Sequence, residues 1–172
     1  MSQGFVNQAN TGVVAEGTAG QLALYASSGN GVSGGQLGNV LGTATNDNAA
    51  AGYCGEFLSN VIASGSAVSL TQNTATNVGS LSLSGGDWDV WVSYFFSAAT
   101  STTTQYGGTN TTSATLPDNS LLGVGTATVA TQSSAFTQQR YSVSGATTVY
   151  GVAYSTAVAS TVCGGIYARR VR

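Results

Sequence analysis

The stretch that decides the fold is Asp87-Trp88-Asp89-Val90-Trp91-Val92-Ser93-Tyr94-Phe95-Phe96. Its side chains alternate with a period of two, which predicts a β-strand because successive side chains of a strand project to opposite faces. One face is wholly apolar, and we expect it to line the core. The other face is mixed and carries Trp91 and Phe95. Large aromatic side chains are costly to leave in water, so we expect this second face to meet another sheet or another subunit.

Similar short segments follow along the chain and are separated by turn residues. The further predicted strands are 56–64, 67–71, 77–83, 102–116, 121–132, 136–143, 147–155 and 161–171. Predicted turns lie at 84–87, 117–120 and 144–146. Good helix formers are scarce and no helix interrupts the series. We therefore predict an all-β fold, an antiparallel jelly-roll-like β-sandwich over residues 51–172.

The first fifty residues have a different character. They contain two short strand-like pieces, 17–25 and 32–37, followed by a small, polar, linker-like stretch. Large apolar residues are too few there to compensate for the entropy of folding as an isolated unit. We predict that residues 1–50 form an extended N-terminal segment for attachment and oligomerisation, preceding the sandwich domain.

Charge is the second informative property of the sequence. The 172 residues include four basic and six acidic side chains, with no Lys and no His. Without His there is no Ser-His-Asp triad and no imidazole metal ligand, and without Lys there is no Schiff base. The only four cationic side chains are Arg140, Arg169, Arg170 and Arg172. They are too few to form a basic patch that could bind the phosphate backbone of a nucleic acid. We expect no enzyme activity, no cofactor, no metal, no nucleic-acid partner and no membrane insertion.

Two acidic residues are the strongest candidates for chemistry. Asp87 and Asp89 share a face of the predicted strand, where they could act as a glycosidase pair or bind Ca²⁺. Asp87 also closes a Gly-Gly turn, a position where Asp is common as a turn former. We favour the turn and strand-edge interpretation.

The two cysteines, Cys54 and Cys163, are too far apart in sequence for a CxxC motif. One interpretation is two small buried side chains. The other is a disulfide, which would either tie the start of the domain to its last strand or link neighbouring subunits.

Arginines and tyrosines supply the remaining candidates. Arg169 and Arg170 project to opposite faces of the last strand, so we expect them to pair with carboxylates rather than to form one anion-binding patch. The carboxylate that meets Arg140 is Asp87, Asp89, Glu56 or Asp118. Six tyrosines could stack on a sugar, although the core is the default place for strand aromatics; they are Tyr94, Tyr106, Tyr141, Tyr150, Tyr154 and Tyr167. Tyr106 lies in a polar, loop-like stretch and is the candidate receptor contact.

Several segments resemble bacteriophage fibre and spike proteins. Residues 20–34 are similar to their "GQLAYYA…G…VSG" segment, and the ending 166–172, IYARRVR, matches their usual last strand. Four segments between these are similar in order and spacing to their terminal β domain: 67–71, 77–83, 86–90 and 113–117. The resemblance implies a virion structural protein, commonly trimeric, with an N-terminal attachment segment and no catalytic residues.

This resemblance leads us to expect a fibre or spike component that is displayed on the particle and involved in host-surface attachment. The chain is short for a complete tail fibre, which favours a capsid decoration or head-fibre protein as the alternative; a carbohydrate-binding module is a further one. Met1–Phe5 lacks the features of a signal peptide, so we expect assembly in the host cytoplasm and location in the virion. We expect three kinds of partner: identical chains in a homo-oligomer, most simply a trimer; other virion proteins, through residues 1–50; and a host surface glycan.

Overall fold

The computed structural model describes residues 48–98, 103–119 and 131–172, together with the backbone of strands at 23–25, 32–34 and 123–127. The chain divides into two compact units, Met1–Asn46 and Asp47–Arg172. In the first unit, strands β1 (Ala23–Tyr25) and β2 (Val32–Gly34) pair antiparallel, each inside a predicted strand-like piece. The predicted attachment role of residues 1–50 otherwise falls outside the described residues.

The described residues of the second unit form ten strands and one short 3-10 turn, Ser64–Ser66. The strands are β3 (Phe57–Ile62), β4 (Val68–Leu70), β5 (Thr76–Leu83), β6 (Gly86–Ser97), β7 (Thr103–Asn110), β8 (Gly123–Ala127), β9 (Thr131–Ala135), β10 (Gln139–Val143), β11 (Thr147–Ser155) and β12 (Ser160–Arg170). The described part of the chain contains no α-helix.

These strands form two antiparallel sheets. In the first sheet β6 and β12 are the central pair; β3 and β4 pair with the outer edge of β12, and β9 and β10 with the outer edge of β6. The second sheet has the order β5-β11-β7-β8. The chain passes repeatedly from one sheet to the other. Each sheet is four strands wide, because β3 and β4 share one edge of the first sheet and β9 and β10 share the other. The predicted jelly-roll-like β-sandwich is therefore confirmed.

The core lies between the two sheets, and the predicted inner face of β6 supplies much of it. Five of its side chains are at most 2% exposed: Trp88, Val90, Val92, Tyr94 and Phe96. Phe136 meets Tyr94 and Phe96 with ring centroids 5.8 and 6.3 Å apart, distances typical of favourable aromatic pairs. The alternation read from the sequence thus correctly identifies the inward face.

Three predicted strands differ clearly from the structure. The predicted strand 121–132 falls on two strands, β8 and the first two residues of β9. The predicted strand 136–143 begins only at Gln139, because Phe136, which follows β9, enters the core. The predicted strand 102–116 ends at Asn110, whose Oδ1 accepts a hydrogen bond from the backbone N–H of Thr112 and so closes an Asx turn. Residues 111–117 form a loop instead.

This loop folds over the outer face of the second sheet. The side chain of Asn77 donates to Ser113 Oγ at 2.7 Å and accepts from the Ala114 N–H at 2.7 Å. Asn77 is the register partner of Val152, which is fully buried although it lies outside the main core cluster. Pro117 packs against Gly108, the partner of Val152 on β7. The loop therefore covers part of the second sheet.

Candidate functional site

Most of the charged side chains meet at one end of the first sheet, and their first contact is a buried ion pair. Arg170 Nε lies 3.0 Å from Glu56 Oε2, and both side chains are less than a tenth exposed. Arg170 Nη1 donates to Gly85 O and Nη2 donates to Ser84 Oγ, and Cζ lies 4.3 Å from the centre of the Trp88 ring. Each of the three guanidinium nitrogens therefore donates a hydrogen bond within the fold, and one face of the group stacks on an aromatic ring.

The carboxylate of Glu56 is held in its charged form by the same arrangement. The Gly52 N–H donates to Glu56 Oε2 at 2.8 Å, and Arg170 adds a second hydrogen bond and a positive charge. These contacts lower the pKa of Glu56 below its ordinary 4.5 in spite of the opposing effect of burial.

Asp87 is the second ionic contact, and it fixes the end of the last strand. Its Oδ2 accepts hydrogen bonds from Arg140 Nη2 at 3.0 Å and from Arg172 Nε. Together with a hydrogen bond from Ser142, the largest contribution, they lower the pKa of Asp87 to about 2. Its backbone also exchanges hydrogen bonds with Val171 and Arg172. Asp87 is thus the partner of Arg140 among the four predicted carboxylates.

These contacts show that Asp87 stabilises the fold by binding two arginine side chains. Asp89, the other member of the candidate pair, lies opposite Arg140 and Arg169 in the register of the sheet. Among the residues that the structure describes, no group of three His, Cys, Asp or Glu side chains comes together to hold a metal ion. The ionic contacts instead bind the ends of β6, β10 and β12 together.

The structure corrects the suggested disulfide between Cys54 and Cys163 within one chain. Both are free thiols; Cys163 is buried and Cys54 is exposed, donating from Sγ to Val171 O at 3.0 Å. Eight residues of extended strand, about 26 Å, separate that carbonyl from Cys163, too far for a disulfide. The interpretation as two buried side chains holds for Cys163 alone, and a bond between subunits stays a prediction.

The structure also corrects the setting of Tyr106. It lies within β7 rather than in a loop, is half-buried, and pairs with Tyr154 on β11 with ring centroids 5.4 Å apart. Tyr94 is in the core, where burial raises the pKa of its hydroxyl well above the ordinary value. A receptor contact through Tyr106 stays a prediction, now on a sheet surface.

The most distinctive surface is the outer face of the first sheet. We call the cluster formed there by Phe57, Val61, Trp91, Phe95 and Tyr167 the aromatic face. Its members lie on the three neighbouring strands β3, β12 and β6. Phe95 is 42% exposed and Val61 is 58% exposed. An apolar cluster of this kind is more informative than single exposed apolar side chains.

The rings of the aromatic face are arranged side by side. Trp91 and Tyr167 are register partners with centroids 5.7 Å apart and an interplanar angle of 21°. Phe57 lies 6.3 Å from Tyr167 at 24° and 6.1 Å from Trp91 at 44°, so the three rings form a triangle. Tyr167 leans along its strand over Gly165, where a Cβ atom would lie 2.7 Å from its hydroxyl oxygen. The lack of a side chain at Gly165 therefore allows the Tyr167 ring to lie against the sheet.

A charged row borders these rings. Across the sheet, Arg140, Asp89 and Arg169 are consecutive register partners on β10, β6 and β12. Arg169 is exposed, and its Cζ lies 6.0 Å from the centre of the Phe57 ring. The outer face of the second sheet also carries aromatic rings, in the tyrosine pair of β7 and β11, together with the exposed hydroxyl residues Ser82 and Thr148. Its strands contain no charged residue, so the charged row distinguishes the first sheet from it.

Sequence reasoning found only part of the aromatic face. The mixed outer side of β6 predicts that Trp91 and Phe95 meet another sheet or another subunit; Phe95 is 42% exposed, and contact with another subunit stays a prediction. Sequence reasoning did not connect Phe57 and Tyr167 with this face. Their alternation within β3 and β12 indicates a face of the sheet. The register that brings them beside Trp91 depends on pairing between strands, so it cannot be predicted from the sequence of any one strand.

Comparison of the chain with protein-family models and with curated proteins finds no match to either. Within the described ranges, no helix has the length and apolar character needed to cross a membrane. Function is therefore inferred from the geometry of the molecule and from the sequence resemblance.

Proposed function

We propose that this chain is a structural component of a bacteriophage particle, of the fibre or spike type, that acts by assembly and binding rather than by catalysis. The resemblance of residues 20–34 and 166–172 to phage fibre and spike proteins motivates this proposal. The jelly-roll-like sandwich supports it, because the resemblance implies a terminal β-sandwich. The proposed role is attachment to the host surface, with the particle carrying the chain through residues 1–50.

One observation carries the non-catalytic part of the proposal. The best candidate for acid-base chemistry, Asp87, is occupied by Arg140 and Arg172, and the buried Glu56 is occupied by Arg170. A general acid or base needs a carboxyl group that can reach its substrate at the operating pH. Both carboxylates are instead held ionised by partners that stabilise the fold. The aromatic face, in contrast, is open for contacts.

The location in the particle can be tested with antibodies raised against the purified chain. Immunogold labelling of intact particles is expected to mark the tail or collar, and the purified protein is expected to adsorb to host cells and compete with infection. Labelling that covers the head, with binding to empty capsids and no adsorption, would favour the decoration alternative. Particles that carry no label at all would contradict the proposal.

The absence of turnover has its own test. Purified protein is incubated with host surface polysaccharide, and reducing ends are counted over time. We expect no increase above the buffer. Release of reducing ends that is lost in an Asp89→Asn variant would contradict the proposal and support a depolymerase.

A further inference from the structure

We propose that the aromatic face is the surface through which copies of this chain associate, each copy covering the aromatic face of its neighbours around a shared axis. The inference rests on the proposed function only in requiring assembly; it adds which surface is used and what it meets. The partner is a second copy of this chain, and the contact is apolar at its centre and ionic at one side.

The apolar character of the face is the first argument. Phe95 and Val61 are 42% and 58% exposed on the same side of the sheet as the triangle of rings formed by Phe57, Tyr167 and Trp91. Removing apolar surface from water is favourable by roughly 25 cal/mol per Å². Aromatic residues are enriched at the centres of protein interfaces. A contact that covers this cluster therefore has a clear driving force.

The shape and size of the face are the second argument. It is the surface of a regular sheet four strands wide, with a central strand, β12, of eleven residues. At the usual strand spacing and rise, the sheet is about 15 Å by about 36 Å, or about 500 Å² before the relief of side chains is counted. Stable interfaces cover about 800 Å² of each partner. One sheet face provides most of that area.

The distribution of charge is the third argument, and it favours another copy. Arg140, Asp89 and Arg169 place positive, negative and positive groups on neighbouring strands, about 4.8 Å apart. Arg140 is held by an ion pair within its own chain, but the exposed Arg169 of a copy displaced by one strand comes against Asp89, so the row is complementary to itself. Two exposed serines, Ser59 and Ser93, lie on the same face among its apolar side chains. Hydrogen-bonding groups are therefore present, and it is the alternating charge that favours another copy over a sugar.

A pair of matched substitutions tests the inference. Val61 on the aromatic face and Val158 in the turn between β11 and β12 are almost equally exposed, at 58% and 59%. Val61→Asp and Val158→Asp therefore introduce the same charge at sites of the same exposure. The full-length chain and both variants are examined by sedimentation velocity and light scattering at micromolar concentration, with circular dichroism as the check on folding. Phe95→Asp provides a second change on the same face.

We expect the unmodified chain and Val158→Asp to sediment as the same oligomer, with the mass of two or more copies. Val61→Asp and Phe95→Asp are expected to remain folded and to dissociate, with the midpoint of association moved at least tenfold to higher concentration. Both face variants retaining the unmodified mass would overturn the inference. A monomeric unmodified chain would overturn it as well, and saturable glycan binding by that monomer, lost in Trp91→Ala, would assign the face to a sugar instead.

These outcomes are separable from failure of the proposed function. Particle labelling addresses the virion role whether or not the face variants dissociate. A chain that dissociates as expected but is not on the particle would leave the interface standing and remove the virion role. Labelled particles together with face variants that keep the unmodified mass would support the virion role and remove the proposed interface.

Discussion

Arg170 and Glu56 form a buried ion pair, with 3.0 Å between Nε and Oε2, across 114 residues of sequence. The pair joins the chain just before β3 to the end of β12. Backbone hydrogen bonds accompany it: Gly55 N–H donates to Arg170 O, and Arg170 N–H donates to Glu56 O. The beginning and the end of the sandwich domain are therefore held together at one place.

Removing the cation of this pair is expected to be strongly destabilising. Arg170→Met leaves the Glu56 carboxylate buried without its partner, and breaking a buried pair in this way costs about 3–5 kcal/mol. Arg172→Met is the matched control, because that side chain is 80% exposed. Pairs at the surface contribute about 1 kcal/mol or less. Urea unfolding of both variants measures the difference, and equal losses would contradict the assigned role of Arg170.

Stability is expected to fall in acid because of Asp87. Its pKa is about 2 in the folded chain against an ordinary value of 3.8, so the folded state holds the proton more weakly than the unfolded state. The contribution is therefore complete above about pH 4 and is lost as the pH falls towards 2. Glu56, whose pKa is also lowered, acts in the same direction.

Thermal unfolding midpoints between pH 6 and pH 2 provide the measurement. Asp87→Asn should be less stable than the unmodified chain at pH 6 and should show a weaker fall in acid. Asp89→Asn, two residues along the same strand, should keep the steeper dependence. A midpoint that stays constant from pH 4 to pH 2 in the unmodified chain would refute the linkage.

Gly164 is expected to tolerate no side chain. Its φ of +122° is rarely adopted by other residues, and a Cβ atom would lie 2.2 Å from the backbone oxygen of Ser93 on the neighbouring central strand. Gly164→Ala should cost about 3 kcal/mol through overpacking and backbone strain. Gly65→Ala is the control, since no atom lies within 4 Å of its Cβ position. Chemical denaturation compares them, and a change below about 0.5 kcal/mol at Gly164 would count against the geometry.

Two buried glutamines should respond oppositely to the same substitution. Gln105 is fully buried on β7, and neither its Oε1 nor its Nε2 has a hydrogen-bond partner in the described part of the chain. Gln105→Met removes these polar atoms without removing a protein hydrogen bond, so we expect stability to rise by about 1–3 kcal/mol. Gln139→Met removes an acceptor that lies 2.9 Å from the Tyr141 hydroxyl and should destabilise. Calorimetric midpoints that fall in both variants would contradict the prediction for Gln105.

Much of the fold could be predicted because periodicity is local. The alternation through residues 87–96 correctly gave the inward face of β6, and most strand positions followed from turn residues. The aromatic face could not be read in the same way, because it requires the register between β3, β12 and β6. Composition was misleading around Tyr106. The polar residues Gln105 and Thr109 indicate a loop, but in the structure both are buried on the inner face of strand β7.

The position of β12 has a consequence for how the protein is made. It follows every other strand in the chain, yet it lies at the centre of the first sheet, between β6 on one side and β3 and β4 on the other. During synthesis β3 and β4 have no partner in that sheet, and cannot join the group of β6, β9 and β10, until residues 160–170 leave the ribosome. Products that end before residue 160 therefore lack the central strand of the first sheet and cannot form its complete outer face.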